Sequence, residues 1–188
     1  MNVHAFFLRR ERLDEVSVSL EAEEGPSWTA PTYGGSLPHD YVHLVVEAAF
    51  GLSNGFWGRV GAGWDPGALN LAAKAARARG YPAWGEDREE LLIAEALAAT
   101  HWFDPTIGDG PRLLGIAATC NEFGVEMPAR FGLNQVAGAT LAMSLSRAIF
   151  KHPARCDASL HVTFSTVDPQ RGFAEMLEDL EAHYESLQ

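Results

Sequence analysis

Two histidines and two acids within one short stretch are the residues of this chain whose types and spacing could do chemistry. They are His39, Asp40, His43 and Glu47. In a helix, at about 100° per residue, all four lie on one narrow stripe of an otherwise apolar surface. His39 and His43 have the four-residue spacing that brings two imidazoles over one helix face, as in known zinc sites. The stripe therefore predicts a metal site.

The length of the helix divides this stripe into two ligand pairs. Glu47 lies about 12 Å along the helix axis from His39, so a single ion does not easily take both residues. The ligand pair is then His39 with His43, or His43 with Glu47, and either pair needs further ligands from elsewhere. Asp40 or Glu47 could orient a ligand or act as a general base. These two acids are therefore the candidate catalytic residues.

We expect the remaining metal ligands from a helix predicted over residues 87–103. Its apolar face includes Leu91, Ala94 and Leu97 and turns His101 inward, with Asp104 three residues later. His101 and Asp104 are therefore predicted to complete the metal site. Three further residues are weaker candidates for metal ligands: Glu122, His161 and His4. Mixed histidine and carboxylate ligands suit Zn, Fe, Mn or Ni, and zinc is the ion that we expect first.

The same four residues also fit two arrangements without a metal. A His-Asp pair at a helix start can serve as an N-terminal cap, because the helix dipole favours Asp40 there. His43 and Glu47, four residues apart, can simply hydrogen-bond to each other. A buried polar network and an exposed stripe are therefore the alternatives to a metal site.

Two family resemblances rest on these residues. One string resembles a conserved bacterial family known only as uncharacterised, which implies no activity: Leu37-Pro38-His39-Asp40-x-x-His43-x-x-Val46-Glu47, followed by Gly55-Phe56-Trp57-Gly58. His39-Asp40-x-x-His43 also resembles the HDxxH motif of an accessory family in ubiquinone biosynthesis, and this resemblance implies zinc binding. That family has a glutamate twelve residues after the second histidine, where this chain has Gly55.

The rest of the chain predicts an α+β single domain over residues 1–188. Alternating apolar and polar residues predict strands over 3–9, 15–22 and 159–166. Residues 23–37, rich in Gly and Pro, are predicted to form a long loop of a kind that is often functional. Predicted helices follow at 37–50, 87–103, 112–124 and 133–150, and after Asp168-Pro169. We therefore expect a small antiparallel sheet from both chain ends, with two N-terminal strands, packed with a mainly helical middle.

Two segments between the predicted helices have further interpretations. The glycine-rich residues 51–64 lack the order of a dinucleotide or phosphate loop and predict a turn with a short, closely packed helix. Asp65-Pro66 should open a helix that continues to Gly80. A basic cluster on it is either a solvated face or a contact for a small anionic ligand: Lys74, Arg77 and Arg79. Residues 81–85 form either a lid or a packed turn.

Composition limits the class of partner. The chain has 188 residues, 47% of them hydrophobic and 21% charged, as in ordinary soluble globular proteins. A net charge of -11 argues against a nucleic-acid surface and against anionic membranes. No apolar run approaches the roughly 18 residues of a membrane span, and the N-terminus does not resemble a signal peptide. We expect a cytoplasmic protein in which Cys120 and Cys156 are free thiols.

Three functions compete on these observations. The first is a metal-dependent hydrolase acting on a small molecule through metal-bound water, with His39 and His43 as ligands. The second is a non-catalytic binding or assembly module, in which the stripe is a structural hydrogen-bond network. Such a module could form a homo-oligomer. The third is a carrier of a small anionic ligand held near Arg59, Lys74 or Arg77.

Overall fold

The sheet is antiparallel and takes strands from both ends of the chain. A computed structural model describes residues 2–8, 13–20, 23–31, 37–71, 88–152 and 159–188. Its strands are β1 (Asn2–Leu8), β2 (Leu13–Leu20), β3 (Glu23–Pro31) and β4 (Ser159–Ser165), in the order β3-β2-β1-β4. The C-terminal strand β4 pairs with the N-terminal strand β1 at one edge of the sheet, and Val3 of β1 lies opposite both Leu20 of β2 and Phe164 of β4. The predicted α+β class is confirmed.

Residues 23–31 form the edge strand β3, so the sequence prediction of a loop that begins at residue 23 is wrong. The register between β2 and β3 shifts between Ser17 and Ser19, so that Gly25 and Pro26 face one residue of β2. A Cβ on Gly25 would lie 2.9 Å from the Val18 side chain, which explains the glycine. Proline is tolerated because an edge strand needs backbone donors on one side only. The sheet therefore has three N-terminal strands, and residues 32–36 of the predicted loop lie outside the described residues.

Helix α1 (His39–Phe50) is the centre of the fold. Every residue from Asp40 to Phe50 is buried, as its apolar surface predicts. Phe7 of β1 meets Tyr41 edge-on at 5.1 Å between ring centroids and Trp57 at 5.8 Å, which joins the sheet to the helical layer. The inner face of the sheet is apolar throughout the described core: Val3, Ala5, Phe7, Val16, Val18, Leu160, Val162 and Phe164.

The other helices surround α1. They are α2 (Phe56–Gly61), α3 (Glu89–Ala98), α4 (Asp109–Glu122), α5 (Leu133–Phe150) and α6 (Pro169–Glu185). Helices α2, α3, α5 and α6 all contact α1. The predicted start of α6 is confirmed, because Asp168 Oδ1 accepts the backbone N–H of Arg171 at 3.1 Å. None of the helices in these ranges combines the length and apolarity needed to cross a bilayer.

The segments on either side of α2 bear on two further predictions. Residues 66–71 are helical, and Asp65 caps them by accepting the N–H of Ala68 at 2.6 Å. The predicted continuation to Gly80, its basic cluster of Lys74, Arg77 and Arg79, and the segment 81–85 lie outside the described residues. Cys120 is a buried free thiol, and Cys156 also lies outside the described residues.

Candidate metal centre

Helices α1 and α3 together bring three side chains close enough to hold a metal ion. They are His39 and His43, one turn apart on α1, and Glu95 on α3. One ligand atom of each residue lies within 4.8 Å of the others, and His43 Nε2 is 3.8 Å from Glu95 Oε1. In a tetrahedral site with ligands about 2.1 Å from the zinc ion, the ligand atoms are about 3.4 Å apart. A contraction of up to about 1.4 Å from the 4.8 Å limit therefore closes the group around one ion.

The donor set suits a transition metal. Two imidazoles and one carboxylate fit Zn, Fe, Mn or Ni better than the all-oxygen sites that Mg and Ca prefer. Three protein ligands leave a coordination position for water or substrate, as in catalytic zinc sites. His43 is buried, whereas His39 and Glu95 are half-buried, so the group has one side towards the protein surface.

Glu47 lies behind His43 and is bound to the start of α2. Its two carboxylate oxygens accept the backbone N–H groups of Phe56 at 2.8 Å and Trp57 at 2.9 Å. Oε1 also lies 3.6 Å from Nδ1 of His43, which is an ion-pair distance rather than a hydrogen bond. Nε2, the other ring nitrogen, is the one that faces Glu95, so Glu47 and Glu95 lie on opposite sides of the His43 ring. Carboxylates in this position orient metal-binding histidines.

Gly55 makes room for this carboxylate. A Cβ at position 55 would lie 2.5 Å from Glu47 Cδ and 2.6 Å from Oε2. Gly58 packs just as closely on the carbonyl of Ser53, which confirms the predicted turn and short, closely packed helix. In this chain the carboxylate of Glu47 fills the space beside residue 55.

Asp40 connects the start of α1 to two other elements. Its Oδ2 accepts the indole N–H of Trp28, on the edge strand β3, at 2.7 Å. Its backbone carbonyl accepts the indole N–H of Trp57, on α2, at 2.7 Å. The two indoles are 5.9 Å apart between centroids. Asp40 is therefore a buried acid next to the candidate metal ligand His39, and two tryptophan indoles donate hydrogen bonds to it, one to its side chain and one to its backbone.

Burial and mutual proximity change the protonation of these groups. Burial raises the pKa of Asp40, and the Trp28 hydrogen bond only partly opposes this effect. Burial also raises the pKa of Glu47, against the influence of His43 and of the two backbone N–H groups. For His43, burial lowers the pKa, but the carboxylates of Glu47, Glu95 and Asp40 raise it, and the net direction is upward. Without a metal, all three groups keep their protons to a higher pH than they would in water.

The inward orientation predicted for His101 is wrong. Helix α3 ends at Ala98 instead of reaching residue 103, and His101 is exposed. Trp102 is buried in its place, and its indole N–H donates to the carbonyl of Leu97 at 2.8 Å. Asp104 lies in the following turn, where its Oδ1 accepts two hydrogen bonds from Thr106, and these lower the pKa of Asp104. The structure does not bring His101 or Asp104 into the group with His39 and His43.

The three remaining candidate residues lie apart from this group. His4 and His161 are neighbours on the outer face of the sheet, with ring centroids 5.8 Å apart. Phe6 stacks on His161 at 4.4 Å, and His4 Nδ1 lies 3.2 Å from the hydroxyl of Thr163. Glu122 is exposed at the end of α4.

Glu95 is the site residue that the sequence prediction missed. It is the single acid within the run Leu91–Leu97, whose other members are all buried and apolar. An isolated acid in a buried run needs a partner, which is the same signal that singled out the α1 stripe. The helical periodicity that points to His101 does not single out this acid.

Comparison of the chain with protein-family models, with curated proteins and with solved structures finds no match.

Proposed function

We propose that this chain is a metal-dependent hydrolase that acts on a small molecule at a mononuclear centre. The ligands are His39, His43 and Glu95, and zinc is the first candidate ion. The observation that carries the proposal is the approach of these three side chains from two helices to within 4.8 Å. A zinc ion held by these three ligands would supply a bound water with a pKa of about 7.

The two acids of α1 have different roles in this proposal. Glu47 is fully buried and holds two backbone N–H groups, so it is a positioning residue that fixes the ring of His43. Asp40 directly follows His39 and has a pKa raised by burial. A carboxyl group that keeps its proton to higher pH is suited to donate that proton to a leaving group. Asp40 is therefore the proposed acid–base residue.

The test of this function uses removal and return of the metal. Protein stripped with a chelator is reloaded with Zn, Mn, Co, Ni or Fe(II) and assayed against panels of carboxylic esters, amides and phosphate esters. We expect hydrolysis of at least one class only after reloading, and its loss in Glu95→Gln. Glu89→Gln is the matched control, because Glu89 is an exposed acid on the same helix. Metal-loaded protein that hydrolyses none of the panel, or activity that survives Glu95→Gln, contradicts the proposal.

A non-catalytic binding or assembly module is the second candidate, and one observation favours it. Asp40 and Glu47 join α1 to β3 and α2 through Trp28, Phe56 and Trp57. This is the hydrogen-bond network expected of a purely structural stripe. On this alternative, His43→Ala lowers the melting temperature, the wild type carries no stoichiometric metal, and light scattering finds an oligomer or a bound partner.

A further inference from the structure

A groove of about 430 Å³ lies between β4 and α6 and shares no lining residue with the metal centre. β4 lines it with four consecutive residues, 160–163. Leu160 and Val162 belong to the buried inner face of the sheet, whereas His161 is exposed on the outer face. Since successive strand residues point to opposite faces, a groove that touches all four runs along the edge of the strand.

β4 is an edge strand, because it is the last strand of the order β3-β2-β1-β4 and pairs with β1 alone among the described residues. In an antiparallel edge strand, alternate residues direct their backbone N–H and C=O groups away from the neighbouring strand. In the described part of the chain no strand pairs with this side of β4, and the groove borders it. The groove therefore offers main-chain donors and acceptors to an incoming segment.

Helix α6 forms the opposite wall of the groove and gives that wall a negative charge. Met176 and Leu180 are buried and apolar, while Glu175 and Asp179 are exposed acids one turn apart. Glu175 is paired with Arg171 at 3.2 Å, but both side chains are exposed, and such pairs contribute little. The helix and the strand meet where a Cβ on Gly172 would lie 3.0 Å from the Cβ of Ser165.

We propose that this groove binds an extended segment of a partner protein that contains lysine or arginine, as a fifth strand added to β4. Backbone pairing to residues 160–163 would cover about 13 Å of strand. Alternate side chains of the segment would point to opposite faces of the sheet, and those on the side of α6 would meet the acids Glu175 and Asp179 beside the buried Met176 and Leu180. The net charge of -11 favours a cationic partner.

The direct test measures binding of a labelled peptide, acetyl-Lys-Val-Lys-Val-Lys-Val-amide, by fluorescence polarisation. Asp179→Lys places a positive charge in the groove. Glu178→Lys makes the same charge change on a neighbouring exposed residue that does not line the groove. We expect Asp179→Lys to raise the Kd about five- to tenfold and Glu178→Lys to leave it within about twofold. Equal effects of the two variants, or no binding to wild-type protein at millimolar peptide, overturn the proposal.

Two control peptides and one measurement on the unmodified chain complete the test. A peptide N-methylated at alternate residues keeps the charge but loses the strand-forming N–H groups, and a Glu-Val repeat keeps the backbone but reverses the charge. Both should bind at least about tenfold more weakly. On binding of the parent peptide, hydrogen exchange of the amides in residues 160–163 should slow. Equal binding of either control peptide, or unchanged exchange in this segment, contradicts strand addition.

Discussion

Substituting Gly55 by alanine is the sharpest test of how the candidate metal centre is supported. The new Cβ would lie 2.5 Å from Glu47 Cδ, much closer than real side-chain contacts allow. The backbone at Gly55 has φ -74°, a conformation that alanine adopts without strain. The main effect of Gly55→Ala is therefore expected to act through the carboxylate of Glu47, with a smaller loss from replacing the N-cap glycine of α2.

The size of the effect follows from what this carboxylate holds. Inserting a methyl group into a packed core costs about 1–3 kcal/mol. Displacing a buried carboxylate from one of its two backbone N–H groups costs about 1.5–3 kcal/mol more. We therefore expect Gly55→Ala to lower the free energy of unfolding by about 2.5–6 kcal/mol, the sum of these two costs, and the melting temperature by about 5–24 °C. Since Glu47 also faces His43 Nδ1, metal affinity should fall about 10- to 100-fold.

Denaturant unfolding and zinc titration measure these two effects. Gly115→Ala is the matched control, because a Cβ on Gly115 meets nothing within 4 Å and this glycine lies inside α4. It should stabilise the protein by up to about 1 kcal/mol and leave zinc affinity unchanged. If Gly55→Ala unfolds and binds zinc as the wild type does, Glu47 does not support the site in the way described.

Three further predictions concern pH, one hydrogen bond and one helix cap. The pKa of His43 is raised in the folded state, so its stabilising contribution is complete below the ordinary value of 6.5 and is lost as the pH rises through the higher folded value. The raised pKa values of Asp40 and Glu47 act in the same direction, above their ordinary values of 3.8 and 4.5. The melting temperature of metal-free protein should therefore fall as the pH rises above 6.5, and zinc should remove this fall. A flat metal-free profile refutes the assignment. Trp28→Phe removes the indole donor from Asp40 and should lower the free energy of unfolding by about 1–3 kcal/mol in denaturant unfolding. Trp64→Phe is the control and should have little effect, because Trp64 is 52% exposed. Equal losses in the two variants would count against the hydrogen bond. Asp168→Ala removes the cap of α6 and should lower the melting temperature by about 2–4 °C in calorimetry, with no change in zinc binding.

The parts of the fold that depend on local pattern could be predicted from the sequence. The nearly all-apolar surface of α1 indicated its burial, and the four-residue spacing of His39 and His43 indicated their shared face. The Asp168-Pro169 pair marked the start of α6. In each case the deciding interaction lies within one helix or its cap, so residue types a few positions apart contain the information.

The parts that failed depend on contacts between distant segments. β3 is a strand because a register shift in its pairing with β2 accommodates Gly25 and Pro26, and composition alone does not reveal that pairing. His101 is exposed because Trp102 packs against the end of α3 and the chain leaves the helical path at Ala98. Glu95 joins the two histidines only through the packing of α3 on α1.

The central claim is that His39, His43 and Glu95 bind one metal ion, and zinc content after dialysis tests it most directly. Wild-type protein dialysed against zinc and then against buffer is measured by elemental mass spectrometry. We predict about one zinc per chain, retained in Glu89→Gln and lost in Glu95→Gln and in His43→Ala. Folding of each variant is checked by circular dichroism, so that a lost ion is not confused with a lost fold. Wild-type protein without stoichiometric zinc, or equal zinc in Glu95→Gln, contradicts the claim.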